Sequence, residues 1–256
     1  MITWTEFPAF GIASMVLWFA GATVALRRER LGGWLFFGGT LLFALFIALF
    51  WIALQRPPMR TMGETRLWYT FCITVIALVL HLRWHYRFLL PFAAVLGAVF
   101  TLLNILRPEI HSVTLMPALQ SAWFIPHVAV YMVAYALMAA GLLFAALSAR
   151  RPLLTHADTL TRMGAALLLL GMLMGAVWAK QAWGSYWAWD AKECWAAVTW
   201  LLYVVYIHFR ARFPARLKAA FVLLVVAFLT LQITWYGISY LPAAKKSLHT
   251  YTQIQE

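Results

Sequence analysis

The stretch "KQAWGSYWAWDAKECW", from Lys180 to Trp195, sets indole beside charge. Trp183, Trp187, Trp189 and Trp195 alternate with Lys180, Asp190, Lys192 and Glu193, and Trp178 and Trp200 flank them. Aromatic rings with polar margins offer a stacking surface for a ligand of the same kind, flat and apolar with charged edges. Placed on a helix, Trp183, Trp187 and Asp190 share one face, and Gly184 leaves room for close approach beside them. Asp190 also has a plainer role: with Glu193 three residues on, it forms an N-cap and capping-box pair that opens a helix. Imidazoles are the other candidates. Seven histidines are present, at positions 81, 85, 111, 127, 156, 208 and 249. The two cysteines, Cys72 and Cys194, are far apart and form neither a CxxC motif nor a disulfide framework.

The elements that carry these residues are membrane helices. Hydrophobic residues make up 64% of the 256-residue chain and charged ones only 11%, against roughly 25% charged in soluble domains. Apolar runs lie near 8–26, 31–54, 67–82, 88–106, 125–147, 161–178, 194–209 and 219–238. Most approach the roughly 20 residues needed to cross a hydrocarbon core. The third and seventh are short and must extend into their flanks or thin the bilayer. Alternating barrel patterns are absent, so the expected fold is an all-α bundle of about eight spans. Fixed-period repeats and low-complexity linkers are also absent, and residues 1–256 read as one membrane domain. The acidic, aromatic start "MITWTEF" lacks the basic region of a cleavable signal peptide.

Charge orients the bundle. The loops holding "RRER", "RWHYR", residues 148–162 and "FRARFPARLK" carry twelve Lys/Arg and two acids; the other set carries eight Lys/Arg and six acids. The positive-inside rule places the first set in the cytoplasm, with both termini and the tryptophan segment outside. The formal charge of +12 is thus a matter of topology and membrane lipid, and no nucleic-acid partner is implied. His111, His127 and His249 fall on the outer side; His81, His85, His156 and His208 fall at the inner side.

The string "WGSYWAWD" resembles the WGxxWxWD signature of heme-handling proteins of cytochrome c biogenesis, and the whole chain resembles their CcsA (ResC) branch, including "RTMGETRLWY" and "MPALQSAWFIPHVAVY". Cys194 departs from the threonine expected in the family's "KETW". The resemblance implies a system II cytochrome c synthase half that exports heme b and presents it for attachment to apocytochrome c. It implies His127 and His249 as outer axial ligands, with Trp183, Gly184, Trp187, Trp189 and Asp190 around the macrocycle. His208, in "YIHFR", matches the family's in-membrane ligand. The implied partners are a CcsB (ResB)-like membrane protein, the CxxCH segment of an apocytochrome, and a thiol-reducing thioredoxin-like protein. The implied location is a bacterial cytoplasmic membrane or a thylakoid-type membrane. Rival readings are a CcmC-like system I heme carrier, a small-solute transporter and a purely structural membrane subunit. Eight spans and His208 disfavour the first, apolar mid-span positions the second, and the tryptophan cluster the third.

Overall fold

The structure, a computed structural model, describes residues 2–111, 117–148 and 151–240. Within them every regular element is helical, and eight helices are long and apolar enough to cross a membrane. The packing forms two compact units, residues 1–115 and 116–256.

The first unit holds α1 (Phe7–Ala25), α2 (Glu29–Leu54), α3 (Met62–Trp84) and α4 (Leu89–Leu106). Helices in lipid gain no hydrophobic stabilisation by meeting, so small residues that let backbones approach become the adhesive. Gly21 meets the backbone of Gly32 and Phe36 so closely that a Cβ there would lie 2.6 Å from the Phe36 nitrogen. Trp18 is fully buried below this contact and donates its indole N–H to Thr40 at 3.1 Å. The third span is 23 residues, longer than its apolar run suggests. Thr61 and Glu64 form a capping box, and the buried Glu64 carboxylate takes a two-pronged Arg56 guanidinium at 2.7 and 2.9 Å. These charges lower the hydropathy of the first turns while being satisfied inside the fold, so the helix extends into its flank.

The second unit holds α5 (Phe124–Ala146), α6 (Arg151–Trp183), α7 (Ala191–Arg212) and α8 (Leu217–Trp235). Residues expected to form the loop before Arg162 are helical from Arg151, giving α6 33 residues. At 1.5 Å per residue this is roughly 50 Å, well beyond a core about 30 Å thick. The seventh span likewise extends, to 22 residues. Of its most apolar stretch 67% is buried in α5, against 17% in α7. α5 is therefore the centre of this unit, and α7 turns most of its surface outward.

Candidate functional site

α6 carries glycines at 164, 171 and 175, seven and four residues apart, on one face. Each receives a side chain of α5. A Cβ on Gly164 would lie 2.8 Å from Met138, one on Gly171 would overlap the Tyr131 ring, and one on Gly175 would lie 2.8 Å from His127. The glycine stripe is the mould into which His127 and Tyr131, one helical turn apart, are pressed. The Nδ1–H of His127 donates to the Gly171 carbonyl at 2.7 Å. A carbonyl can only accept, so Nδ1 carries the proton and Nε2 carries the lone pair of the neutral ring. This is the outer-sphere contact that prepares an imidazole to bind a metal through Nε2.

Aromatic contacts join His127 to the tryptophan segment. Its ring lies 5.7 Å from Trp178 at 26°, and Trp178 meets Trp183 edge-on at 4.8 Å. Trp178 is buried and donates its indole N–H to the Ala118 carbonyl at 2.8 Å. Sequence reasoning counted Trp178 in the cluster without assigning it to the site, and passed over Tyr131, Gly171 and Gly175. The GxxxG spacing of those two glycines on an apolar run was the available signal.

The segment after Trp183 is not helical, so Trp183, Trp187 and Asp190 do not share a helix face. Gly184, at φ +83, stops α6, its N–H bonding the Lys180 carbonyl at 3.1 Å. Its glycine is needed for this left-handed stop, while the space around it is open. Trp183 remains the last residue of α6, and Trp187 and Trp189 form a separate edge-to-face pair at 5.9 Å. Trp189 is 76% exposed and is held at φ +57, a region costly for a bulky residue. Cys194 donates its thiol to the Trp189 carbonyl at 3.4 Å, so it tethers the tryptophan loop as well as packing.

The cap expected at Asp190 is present. Asp190 accepts from the Glu193 N–H at 2.8 Å, and Glu193 accepts from the Asp190 N–H at 3.3 Å and the Ala188 N–H at 2.7 Å. Two carboxylates at the positive end of α7 thus fix the loop's exit.

His208 is exposed near the other end of α7. Its Nδ1–H donates to the Val204 carbonyl at 2.9 Å, again leaving Nε2 as the lone-pair nitrogen. Tyr206 and Arg210 point the opposite way and share Asp158 of α6. The tyrosine hydroxyl donates at 2.7 Å and the guanidinium at 2.9 and 3.1 Å. His249, the other expected outer ligand, lies outside the described residues. His111 belongs to the first unit, where it stacks on Trp4 at 3.7 Å and 3°.

The donor set fits a flat, metal-bearing aromatic ligand. It offers an imidazole with a defined tautomer and an exposed indole face at Trp189. The Trp187 indole N–H is buried without a hydrogen-bond partner among the described residues. A ligand carboxylate would satisfy it.

The sequence pattern of a family described as Cytochrome C assembly protein matches residues 9–244. Proteins called cytochrome c biogenesis protein CcsA from several organisms are similar to this chain. The one from Mesostigma viride is 26% identical over 254 residues, covering 82% of this chain and 82% of its own. That from Chlamydomonas reinhardtii is 27% identical over 267 residues, covering 94% of this chain and 72% of its own. That from Amborella trichopoda is 27% identical over 252 residues, covering 78% and 80%.

Proposed function

Because the chain belongs to the cytochrome c assembly protein family, we propose that it is the half of a cytochrome c synthase that carries heme b across the membrane and presents it to apocytochrome c. It is a multi-pass membrane protein with a role in cytochrome c biogenesis. The observation that carries the finer reading is His127, whose Nδ1–H is bound to the Gly171 carbonyl and whose ring stacks on Trp178, beside Trp183.

The residues have separate tasks. His127 and His249 would offer imidazole nitrogens to the iron. Trp183, Trp187 and Trp189 cover the macrocycle and exclude water, and the Trp187 N–H and outer Lys/Arg side chains pair with its carboxylates. Asp190 and Glu193 hold the loop so that Trp187 and Trp189 keep their places. His208 faces out of the bundle from α7, where an imidazole at membrane depth suits a waypoint shared with a CcsB (ResB)-like partner. When bound, heme supplies the vinyl groups to which the two thiols of a CxxCH segment add; the protein binds and orients it. The thiols must arrive reduced, which calls for a thioredoxin-like reductant. Charge asymmetry sets the tryptophan segment and both termini on the outer face of a bacterial cytoplasmic or thylakoid-type membrane.

A visible spectrum of the purified full-length protein tests this reading. The expected result is a Soret band of a bis-imidazole heme that changes in His127→Gly. A protein without bound heme after expression in a heme-replete host, and with no uptake of added hemin, would overturn it.

A further inference from the structure

The first unit sets a basic depression at the head of an exposed apolar stripe. The α1–α2 turn is wound by the N–H groups of Arg27 and Arg28, which donate to the Val24 carbonyl at 3.0 and 2.8 Å. Arg87 donates to the Leu26 carbonyl at 2.8 Å and joins this turn to the one between α3 and α4. Between the two turns lies an open depression of about 570 Å³, lined by Arg28, Glu29, Arg30, Leu31 and His85. Its one carboxylate is engaged: Oε1 of Glu29 accepts the Nδ1–H of His85 at 2.6 Å and lies 3.9 Å from Nε2 of the buried His81. Arg28 and Arg30 are exposed, and among the described residues neither has a carboxylate within ion-pair distance. Deeper along α2 the exposed residues keep to one face. Trp34, one turn past Arg30, is 71% exposed, and Phe37, Leu41 and Leu45 follow at helical spacing, all exposed. Trp34 and Phe37 meet edge to face at 5.9 Å. Beside them Gly38 forms a notch: it is half-buried, and a Cβ there would meet nothing within 4 Å. From Trp34 to Leu45 the helix rises roughly 16 Å, about the depth of one leaflet of a 30 Å core.

We propose that this corner of the first unit binds one anionic phospholipid, with Arg28 and Arg30 on its phosphate, the Trp34 indole N–H on a glycerol-ester carbonyl, and an acyl chain along Phe37, Gly38, Leu41 and Leu45. Guanidinium groups match phosphate oxygens through paired hydrogen bonds. Basic pockets between the ends of membrane helices recognise lipid headgroups. An indole at the interface keeps its ring among the tails and its N–H toward the headgroups. Exposed leucines and an interfacial tryptophan occur on any span and take whatever lipid is beside them. They do not account for two unpaired arginines at the head of the same face, or for a neighbouring carboxylate drawn onto two imidazoles and away from them. A free phosphate would use the arginines and leave the notch and the stripe without a part. A zwitterionic lipid would use the stripe and gain little from the arginines, because its own cation offsets its phosphate. The bound lipid would link the α1–α2 turn to the helix face below it, and so brace the first unit at its membrane boundary.

The experiment uses full-length protein, delipidated in detergent and followed by native mass spectrometry as phosphatidylglycerol or phosphatidylcholine of matched chains is added. Wild type should hold one phosphatidylglycerol at least about 10-fold more tightly than phosphatidylcholine. Arg28→Gln with Arg30→Gln should remove that preference. Arg83→Gln with Arg212→Gln takes away equal charge outside the depression, where solvent screens it, and should change the preference less than about 2-fold. Gly38→Leu grows into open space, so the protein should fold. By filling the notch it should weaken phosphatidylglycerol about 3-fold or more. Arg30→Gln alone, checked for monodispersity, replaces the arginine pair if that protein misfolds. Equal retention of the two lipids, or a preference that survives loss of Arg28 and Arg30, overturns the proposal. So does an equal loss in the Arg83 and Arg212 variant, which would mark charge attraction without a site. Gly38→Leu protein that holds phosphatidylglycerol as wild type does, or displacement of the lipid by millimolar inorganic phosphate, also overturns it, because the depression would then take an anion without its acyl chain.

Discussion

Arg210 of α7 grips Asp158 of α6 with its terminal nitrogen 2.9 Å from the carboxylate, and Tyr206 one turn earlier donates to the same aspartate at 2.7 Å. Residues four apart share a helix face, and a residue midway between them lies on the opposite one. The clamp thereby sets the rotation of α7 and turns His208 outward. Both charged side chains are mostly buried, at 11% and 16% exposure.

Asp158→Asn should therefore do two things. Removing one member of a buried pair strands the other, a loss of about 3–5 kcal/mol in fully buried cases and near the lower end here. The melting temperature in detergent should fall, and the double variant Asp158→Asn with Arg210→Gln should recover part of it. A cysteine placed at position 208, in a background with Cys72 and Cys194 replaced by serine, should also change its reactivity toward a membrane-confined thiol reagent. An unchanged labelling pattern would mean that the pair does not set the helix's rotation.

Gly175→Ala should disturb the site more than the fold. Its Cβ would sit 2.8 Å from two atoms of the His127 ring, pushing the imidazole off the Gly171 carbonyl. Overpacking of this kind costs about 1–3 kcal/mol. The expected outcome is a protein that still inserts and purifies but holds less heme, with an altered spectrum. Gly164→Ala meets Met138, a flexible side chain, and should leave the spectrum alone.

The tryptophan loop gives a graded expectation. Trp187→Ala and Trp189→Ala should each weaken heme retention without abolishing it, since an aromatic contact contributes about 0.5–1.5 kcal/mol beyond area burial. Asp190→Asn should change little because asparagine also caps, whereas Asp190→Ala should cost about 1 kcal/mol. Heme content per protein and thermal melting measure both. Complete loss of heme in a stable Asp190→Asn protein would assign that carboxylate a direct role.

Eight spans were legible because lipid demands long apolar helices, and the Asp190–Glu193 box was legible because its signature is local. What hydropathy misplaced were ends whose charges are satisfied inside the fold. Glu64 beneath Arg56 lengthens α3, and Asp158 beneath Arg210 makes helix of an expected loop. The shared face of Trp183, Trp187 and Asp190 holds only if the tryptophan segment is a continuous helix. The positive φ at Gly184 and Trp189 breaks it, and at Trp189 residue type gives no warning of this. The Gly171–His127 bond joins residues 44 positions apart and follows only from the register of α5 against α6.

The sharpest prediction concerns the outer imidazoles. If His127 and His249 hold one iron, replacing either with glycine removes one axial bond and leaves the stacking and carboxylate contacts in place. The heme should become five-coordinate or water-ligated, its spectrum should leave the bis-imidazole form, and cytochrome c maturation should drop. Added imidazole should enter the space vacated by the ring and restore both. For His127 that space is already moulded by Gly175, so rescue should be efficient there. His111→Gly is the comparison, and the structure sharpens what it should do. That ring stacks on Trp4 over Gly63, where a Cβ would come within 2.7 Å of it. Its removal should lower the melting temperature while leaving the ligation of the bound heme unchanged. His208→Gly should differ from both by reducing how much heme reaches the platform without changing the spectrum of what arrives. A spectrum that ignores His127→Gly and His249→Gly but responds to His111→Gly would put the iron in the first unit and end the axial pair proposed here.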